Sequence, residues 1–253
     1  MEKRIIVLLA GGLGKRMQSN MPKVLNKINN VPMIVILLRE IFKISDTIEK
    51  IFIVVGQYKS IIESTLSDYN VSNNKIVFID QEIALGTGHA VLCCRKYLLN
   101  YPEDSKILIL YGDTPFISIK TMTEMFNTTN IKLLTTCINN PTGFGRIVEN
   151  NGEILKIVEQ KDCSCLEKKI NKINTGIYCC RNDLLCNYLP LINNNNNQNE
   201  YYLTDIIEII KRRKMVNIEE YSVSSNNHYE ILGVNTKEQL INLEKLYIKT
   251  HLK

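Results

Sequence analysis

Nowhere in the 253 residues is there an unbroken apolar run of the roughly 20 residues that a membrane-spanning helix requires. The opening segment has a charged start, Met1-Glu2-Lys3-Arg4, and an apolar run, Ile5-Ile6-Val7-Leu8-Leu9. That run breaks into Gly11-Gly12-Leu13-Gly14-Lys15-Arg16 without a small-residue cleavage pattern. It reads as a buried strand entering a loop, and the expectation is a cytoplasmic protein with no membrane partner. Histidine is scarce: His89, His228 and His251 are scattered along the chain. Eight cysteines contain no C-x-x-C pair, and they do not have the spacing of a secreted disulfide framework. The doublets Cys93-Cys94 and Cys179-Cys180 point neighbouring side chains in different directions. Cys163 and Cys165 are either incidental or a ligand pair, short of the four ligands that zinc usually takes. No solenoid-type repeat is present. Charge of one sign is also in short supply: 31 Lys+Arg against 26 Asp+Glu leaves +5. That suits an anionic small ligand and is too little to argue for nucleic acid. The basic run Lys211-Arg212-Arg213-Lys214 reads as a solvated helix end.

What is present is an ordinary globular composition, 45% apolar and 23% charged, long enough for one large α/β domain with or without a small appendage. Short runs rich in Ile, Val and Leu over 5–9, 51–55, 76–79 and 107–111 read as strands buried on both faces. Helical spacing falls between them, over 32–44, 60–66 and 88–99, with Pro32 expected in a first turn. This β-α-β-α-β order predicts a parallel, doubly wound sheet. Later strands over 133–138, 146–149, 154–159 and 173–179 lie closer together, with a hairpin signal at Asn150-Asn151-Gly152. They predict a mixed extension of the sheet, with a helix near 203–211. Leu240, Leu243, Leu246 and Tyr247 after Thr236 predict a capped C-terminal helical arm. The run 193–197, all asparagine, reads as a solvated loop.

After the first strand, Leu9-Ala10-Gly11-Gly12-Leu13-Gly14-Lys15-Arg16-Met17 is followed by Pro22-Lys23. Glycines let backbone N–H groups converge into an anion nest, and Lys15, Arg16 and Lys23 bring cations to the same place. Walker A fails, with Leu9 at the first glycine and Arg16 after Gly14-Lys15. The dinucleotide fingerprint fails with Met17 at its third glycine. Taken alone, the loop is either a phosphate cradle or a tight turn.

The loop is one of eight ordered motifs. The others are Gln81-Glu82-Ile83-Ala84-Leu85-Gly86-Thr87-Gly88-His89-Ala90, Tyr111-Gly112-Asp113-Thr114-Pro115, Pro141-Thr142-Gly143-Phe144-Gly145-Arg146-Ile147, Val158-Glu159-Gln160-Lys161-Asp162, Ile173-Asn174-Thr175-Gly176, Asn199-Glu200-Tyr201-Tyr202-Leu203-Thr204-Asp205 and Gly233-Val234-Asn235. In this order, over nearly the whole chain, they resemble the sugar-1-phosphate nucleotidyltransferases, and among them the N-terminal uridyltransferase domain of bacterial-type bifunctional N-acetylglucosamine-1-phosphate uridyltransferases. The resemblance implies a Rossmann-like nucleotidyltransferase fold of GT-A-like type: an α/β, mixed, mostly parallel sheet flanked by helices. It implies a catalytic domain over 1–235, with the helical arm over 236–253.

The reaction it implies joins UTP and N-acetylglucosamine 1-phosphate, giving UDP-N-acetylglucosamine and pyrophosphate by in-line attack on the α-phosphorus. Alignment and charge neutralisation would carry it, without a protein nucleophile. By the same resemblance Leu9, Ala10, Gly11, Gly12, Tyr111 and Gly112 line the substrate site, and Arg16 and Lys23 face phosphate. Asp113 and Asn235 would ligate Mg²⁺, a hard ion suited to a carboxylate and an amide oxygen. Gln81, Gly86 and Thr87 match the uracil-contacting stretch, where a Gln amide can donate and accept at once. Gly145, Glu159 and Asn174 match residues that hold the sugar, and Tyr202 and Thr204 a segment closing over it. Lys15 stands where many relatives carry Thr, and Asn26 where the domain often has His. His89, without an evident carboxylate partner, reads as structural. With no hexapeptide β-helix after the arm, uridyl transfer alone is expected, and the arm packs on its own body or on a second subunit in a homodimer. The alternatives are another nucleotide or sugar phosphate on the same fold, or a non-catalytic nucleotide-sugar sensor; retention of Lys23, Asp113 and Asn235 argues against the sensor.

Overall fold

The computed structural model describes residues 2–12, 14, 17, 21–214 and 216–251. β1 (Arg4–Leu9) runs into the glycine loop and a 3-10 turn (Lys23–Leu25), then into a two-strand ribbon, β2 (Lys27–Ile28) and β3 (Val31–Pro32), and α1 (Met33–Phe42). β4 (Lys50–Val55), α2 (Lys59–Asp68), β5 (Ile76–Asp80), α3 (Thr87–Leu98) and β6 (Lys106–Tyr111) follow. β1 pairs in parallel with β4 and β6, and β4 with β5, as the alternation predicts. The spatial order β6-β1-β4-β5 puts β1 where the winding reverses, and open α/β sheets bind ligands beyond the carboxyl ends of such strands.

The buried runs read as they do because the sheet is covered on both sides. Ile6 and Leu8 face a core shared with α1 and α2; Ile5 and Val7 face one shared with α3. Pro32 differs from expectation. It closes the ribbon in an extended conformation (φ −57°, ψ 140°) and precedes the helix rather than entering its first turn.

The second half contains α4 (Ile119–Phe126), β7 (Ile131–Cys137), β8 (Gly145–Asn150), β9 (Glu153–Val158), β10 (Lys172–Arg181), α5 (Asn182–Tyr188), α6 (Asp205–Lys214), β11 (Ile218–Ser222) and α7 (Lys237–His251). β10 lies antiparallel between β6 and β7, and its first residues also pair with β8. β8 and β9 form the expected hairpin, with Asn151 (φ 50°) and Gly152 (φ 80°) supplying the left-handed turn. β11 adds a parallel outer strand on β7. The ribbon, α4, α5 and β11 were not expected from the sequence. No helix among the described residues is long and apolar enough to cross a membrane.

The terminal helix packs on its own body. Thr236 Oγ1 accepts the Gln239 N–H (3.2 Å), and Gln239 Oε1 accepts the N–H groups of Asn235 (2.7 Å) and Thr236 (3.1 Å), a reciprocal capping box. Leu243 is buried with Ile28, Met33 and Val234, Leu240 and Tyr247 pack against them, and the Tyr247 ring stacks on Phe116 at 4.9 Å. Leu246, expected in the same stripe, is exposed. The eight cysteines are free, with Cys163 buried and Cys165 exposed. Among the described residues no group of three or more His, Cys, Asp or Glu is arranged to hold a metal.

A buried carboxylate that no motif announces holds the approach to Asn235. Glu230, 3% exposed, sits on the turn Ser225–Ile231. Its Oε2 accepts the Thr121 hydroxyl (2.6 Å) and the Ser118 N–H (3.0 Å) at the start of α4. Glu230→Ala leaves the Ser118 N–H without its acceptor and the Thr121 hydroxyl with only Ser118 Oγ (3.2 Å), and is expected to lower the unfolding free energy by about 1–3 kcal/mol. Urea unfolding with an unchanged denaturant slope is the check; an unshifted midpoint would show that the carboxylate carries no structural weight.

Candidate active site

Strand ends place the first half of the site. Beyond β1, the Gly112 N–H donates to Leu9 O at 2.9 Å, joining β1 and β6 where the loops begin. The glycine loop returns through Gly14 (φ +60°), where a Cβ would meet the Lys23 Cβ at 3.0 Å. The close return is why a glycine stands there, and it delivers Lys23 beside the end of β6. Asn26 closes the following turn by donating its side-chain N–H to Lys23 O (2.9 Å), which gives this departure from the family pattern a local role. Leu9, Gly11, Gly12, Lys23, Gln81, Gly86, Thr87, Tyr111 and Asp113 line one cavity of about 300 Å³, together with Val24, Val54, Ala84, Ala90 and Glu200.

Gln81 follows β5 and is 8% exposed. Its Nε2 donates to Gly86 O (3.1 Å) and reaches His89 Nδ1 (3.0 Å), so both amide hydrogens are used within the protein. Gly86 (φ +113°) turns against the segment before α6; a Cβ would lie 2.6 Å from Tyr201 O. Gly88 N–H donates to Tyr201 O and Tyr201 N–H to Leu85 O, both at 2.8 Å, and Leu203 N–H donates to Thr87 Oγ1 at 3.2 Å. The 85–88 loop is thereby clamped to 201–203.

The second half of the site is built where β10 departs from regular pairing between Asn174 and Tyr178. Asn174 Oδ1 accepts the Gly176 N–H (3.0 Å), and a Cβ on Gly176 (φ +85°) would meet the Tyr111 ring at 2.7 Å. Gly145, on β8, opens toward Glu159: a Cβ there would stand 3.5 Å from its Oε1. A cavity of about 380 Å³ is lined by Gly145, Glu159, Asn174, Gly176, Tyr202, Thr204 and Asn235, and by Gln198, Thr142 and Gln239. It shares Lys23, Thr87, Tyr111, Asp113 and Glu200 with the first.

At the junction the Lys23 ammonium forms an ion pair with Asp113 Oδ2 and donates to Asn235 Oδ1 at 2.9 Å. Val234 N–H donates to Asp113 O (3.1 Å), fixing the approach of the segment that carries Asn235. Around the second cavity the charges are acidic. Burial holds the Glu159 carboxyl above its ordinary range, with Asp205, Asp162 and Glu200 adding to it and the Thr204 hydroxyl opposing. Burial, then Glu159 and Asp113, pushes up the Tyr111 hydroxyl, and burial pushes Tyr202 up to about 12.

Two expected residues do not face either cavity. Ala10 is buried, with its N–H on Val54 O, and Gly112 packs against Val24, where a Cβ would fall 2.8 Å from Cγ1. Arg16 and Lys15 lie outside the described residues. Glu200, which lines both cavities, and His89, which holds Gln81, are the residues that motif reading did not assign to the site. Both sit within quoted motifs, so the signal was position next to an assigned residue.

A family model described as nucleotidyl transferase matches residues 5–224. The chain is 43% identical over 250 residues to a "Probable UDP-N-acetylglucosamine pyrophosphorylase" of Acanthamoeba polyphaga mimivirus, covering 96% of both. It is 40% identical over 247 residues to the "Bifunctional protein GlmU" of Francisella tularensis subsp. novicida, covering 96% of this chain and 51% of that one. The chain thus spans about half the length of the bifunctional relative. In fold it is similar to a putative glucose-1-phosphate thymidylyltransferase from Bacillus anthracis (TM-score 0.74, 21% identity, covering 96% and 94% of the two chains). It is equally similar to a UDP-glucose pyrophosphorylase solved with UDP-glucose (TM-score 0.74, 20% identity, 99% and 100%). The fold expected from the motifs is the one these neighbours share.

Asp205, at the start of α6, gives the acidic side of the site a pH signature. Burial, then Glu208 and Asp162, pushes its pKa from 3.8 up to about 6. The native state then holds this proton more tightly than the unfolded state, so its contribution to stability falls as pH rises from 3.8 to about 6. Asp205→Asn is expected to remove that fall, leaving the variant more stable than wild type above about pH 7, with the advantage shrinking toward pH 4. Thermal unfolding across this range is the check; parallel profiles would refute it.

Proposed function

The chain belongs to the nucleotidyl transferase family, and within it we propose that this protein transfers the uridylyl group of UTP to N-acetylglucosamine 1-phosphate. The products are UDP-N-acetylglucosamine and pyrophosphate. The observation that carries this reading is the pair of cavities that meet at Lys23 and Asp113. One has glycine backbone and an amide-bearing rim suited to a nucleotide; the other has acidic and amide side chains suited to sugar hydroxyls. The 43% identity to a relative named as a probable UDP-N-acetylglucosamine pyrophosphorylase supports the choice of substrates.

In this reading a phosphate oxygen of the sugar phosphate attacks the α-phosphorus of UTP. The α–β anhydride bond breaks opposite it, and pyrophosphate leaves with the electron pair. No proton need move and no covalent enzyme intermediate is needed, so the protein's work is alignment and neutralisation of crowded charge. Lys23 stands at the junction where the two phosphates meet. Arg16 is assigned to the triphosphate by the same reading. Glu159 and Asn174 accept from and donate to the sugar, and Gly145 leaves it room.

The donors present fit Mg²⁺. A carboxylate oxygen of Asp113 and the amide oxygen of Asn235 already converge on one positive centre, the Lys23 ammonium. Two hard oxygens leave the remaining positions of such an ion to water and phosphate. Bound there, the ion would supply neutralisation of phosphate charge.

Pyrophosphate release tests the proposal, with UTP, CTP, dTTP and ATP each crossed against N-acetylglucosamine, N-acetylgalactosamine and glucose 1-phosphates, with Mg²⁺ or chelator. Turnover confined to UTP with N-acetylglucosamine 1-phosphate, abolished by chelation, is expected. Asp113→Ala and Lys23→Ala should each lose on the order of 100-fold or more. Another preferred pair would move the specificity, and binding without turnover for every pair would make the protein a sensor. Gly145→Ala brings a Cβ within 3.2 Å of Ile157 and 3.5 Å of Glu159 Oε1. It should raise KM for the sugar phosphate about tenfold while sparing that for UTP, a split that initial-rate kinetics resolves.

A further inference from the structure

Resting on the uridylyl-transfer reading, we infer that His89 is a specificity-positioning residue: it withholds the second amide hydrogen of Gln81, so that Gln81 meets the nucleotide base as an acceptor alone. The argument begins with the amide's orientation. A carboxamide nitrogen only donates and its oxygen only accepts. Gly86 O, already accepting the Ala90 N–H of α3 at 3.1 Å, also faces Gln81 at 3.1 Å, and a carbonyl oxygen cannot donate. The nitrogen of Gln81 must therefore be the atom on that side. Turning the amide over would set two carbonyl oxygens against each other.

His89 Nδ1 then lies 3.0 Å from the same nitrogen and takes its second hydrogen. For that bond Nδ1 must carry the lone pair and Nε2 the ring proton. The ring is held in place from the far side: it packs beside Tyr201 (6.3 Å between centroids), whose backbone is pinned to Leu85 and Gly88. What Gln81 has left is Oε1, which lies on the Gly11 side of the cavity, 3.6 Å from where a Cβ of that glycine would be.

An acceptor held rigidly at a base edge discriminates by the proton at N3. Uracil carries N3–H and can donate to it; cytosine presents a bare N3 and would set lone pair against lone pair. Without His89 the nitrogen would still be held by Gly86 O, but its second hydrogen would be left for the bare N3 of cytosine to accept. With the nitrogen doubly engaged, the amide reads a donor only. This narrows the simpler expectation that the side chain donates and accepts at once.

The test measures kcat and KM for UTP and CTP in wild type, His89→Phe and His89→Asn, by pyrophosphate release with saturating N-acetylglucosamine 1-phosphate. His89→Phe frees the amide hydrogen and is expected to raise the CTP-to-UTP ratio of kcat/KM about tenfold, mainly through KM for CTP. His89→Asn, whose side-chain oxygen can accept the same hydrogen, should restore the wild-type ratio. A ratio unchanged in His89→Phe, or an equal loss for both nucleotides, overturns the inference. Wild type that turns over neither nucleotide, or prefers CTP, overturns the reading beneath it instead. A second measurement needs no destabilising variant. Ring ¹⁵N NMR of the wild-type protein, with His89 assigned by the spectrum of His89→Asn, should show Nδ1 as the unprotonated nitrogen; a proton on Nδ1 would refute the proposal outright.

Discussion

The ion pair of Lys23 with Asp113, shared with Asn235, is the contact on which the arrangement turns. Its three members come from the loop after β1, the end of β6 and the segment before α7, and Lys23 and Asn235 are 212 residues apart in sequence. None of these attachments is strong alone, because each side chain sits on irregular backbone. What fixes them is the sheet beneath. β1 and β6 are neighbours in register from Arg4 opposite Lys106 to Leu9 opposite Tyr111, so the two loops leave it side by side. The glycine at 14 lets the first loop fold back far enough for Lys23 to reach. The constraint is thus one of charge at a strand junction. An ammonium and a carboxylate balance each other there, with the amide oxygen as a further acceptor, and removing either charge leaves the other uncompensated.

The second half of the molecule is joined to the parallel sheet through one antiparallel strand, and to the junction also by Asn235 and Val234. β10 inserts between β6 and β7, and it carries β8 with it. Asn174 pairs with Gly145 of β8; beyond it the pairing with β7 breaks as far as Tyr178, and within the break Gly176 lies against the Tyr111 ring. Alternation is kept across the break: Ile173, Ile177 and Cys179 face one core and Tyr178 and Cys180 the other. The extra residues of β10 are thus what bring backbone, at Gly176, up to the Tyr111 ring that borders both cavities.

Much of this was legible in the sequence, and the reasons are physical. β1, β4 and β6 are buried on both faces, so nearly every position is apolar and the runs stand out, and the edge strand β5 is apolar though half-buried. The elements missed are those whose signal is mixed. α5 is only seven residues long, and β11 is an outer strand whose polar positions are occupied by partners. Glu220 on it accepts from Thr135 and pairs with Lys172, and Glu219 accepts the Thr129 N–H at 2.8 Å. A strand stabilised by such bonds does not read as hydrophobic alternation. In the site, glycines and charged residues were visible because motif spacing fixes them. His89 and Glu230 were not assigned, because each acts on a group distant in sequence or through another side chain, and only the folded geometry brings the pairs together.

The asparagine run shows the same limit from the other direction. By composition it is a solvated loop, and most of its residues are exposed. Yet Asn197 Nδ2 donates to Asp162 Oδ1 (2.8 Å) and Lys161 O (3.0 Å), tying the loop to the segment after β9. Asn196 Oδ1 accepts the N–H groups of Gln198 (3.1 Å) and Glu200 (3.2 Å), while its Nδ2 donates to Glu200 O (2.6 Å). These bonds set Gln198 against the Tyr202 hydroxyl at 2.7 Å and carry Glu200 to the rim of both cavities. Asparagine does this well because its short amide both donates and accepts next to its own backbone, and because it tolerates the left-handed conformation seen at Asn199 (φ 53°). A loop built this way is held by polar bonds at the surface rather than by a core. It can therefore place side chains at the opening of the site through polar bonds, Gln198 on the Tyr202 hydroxyl and Glu200 at the rim that both cavities share, while the sheet's core lies beneath.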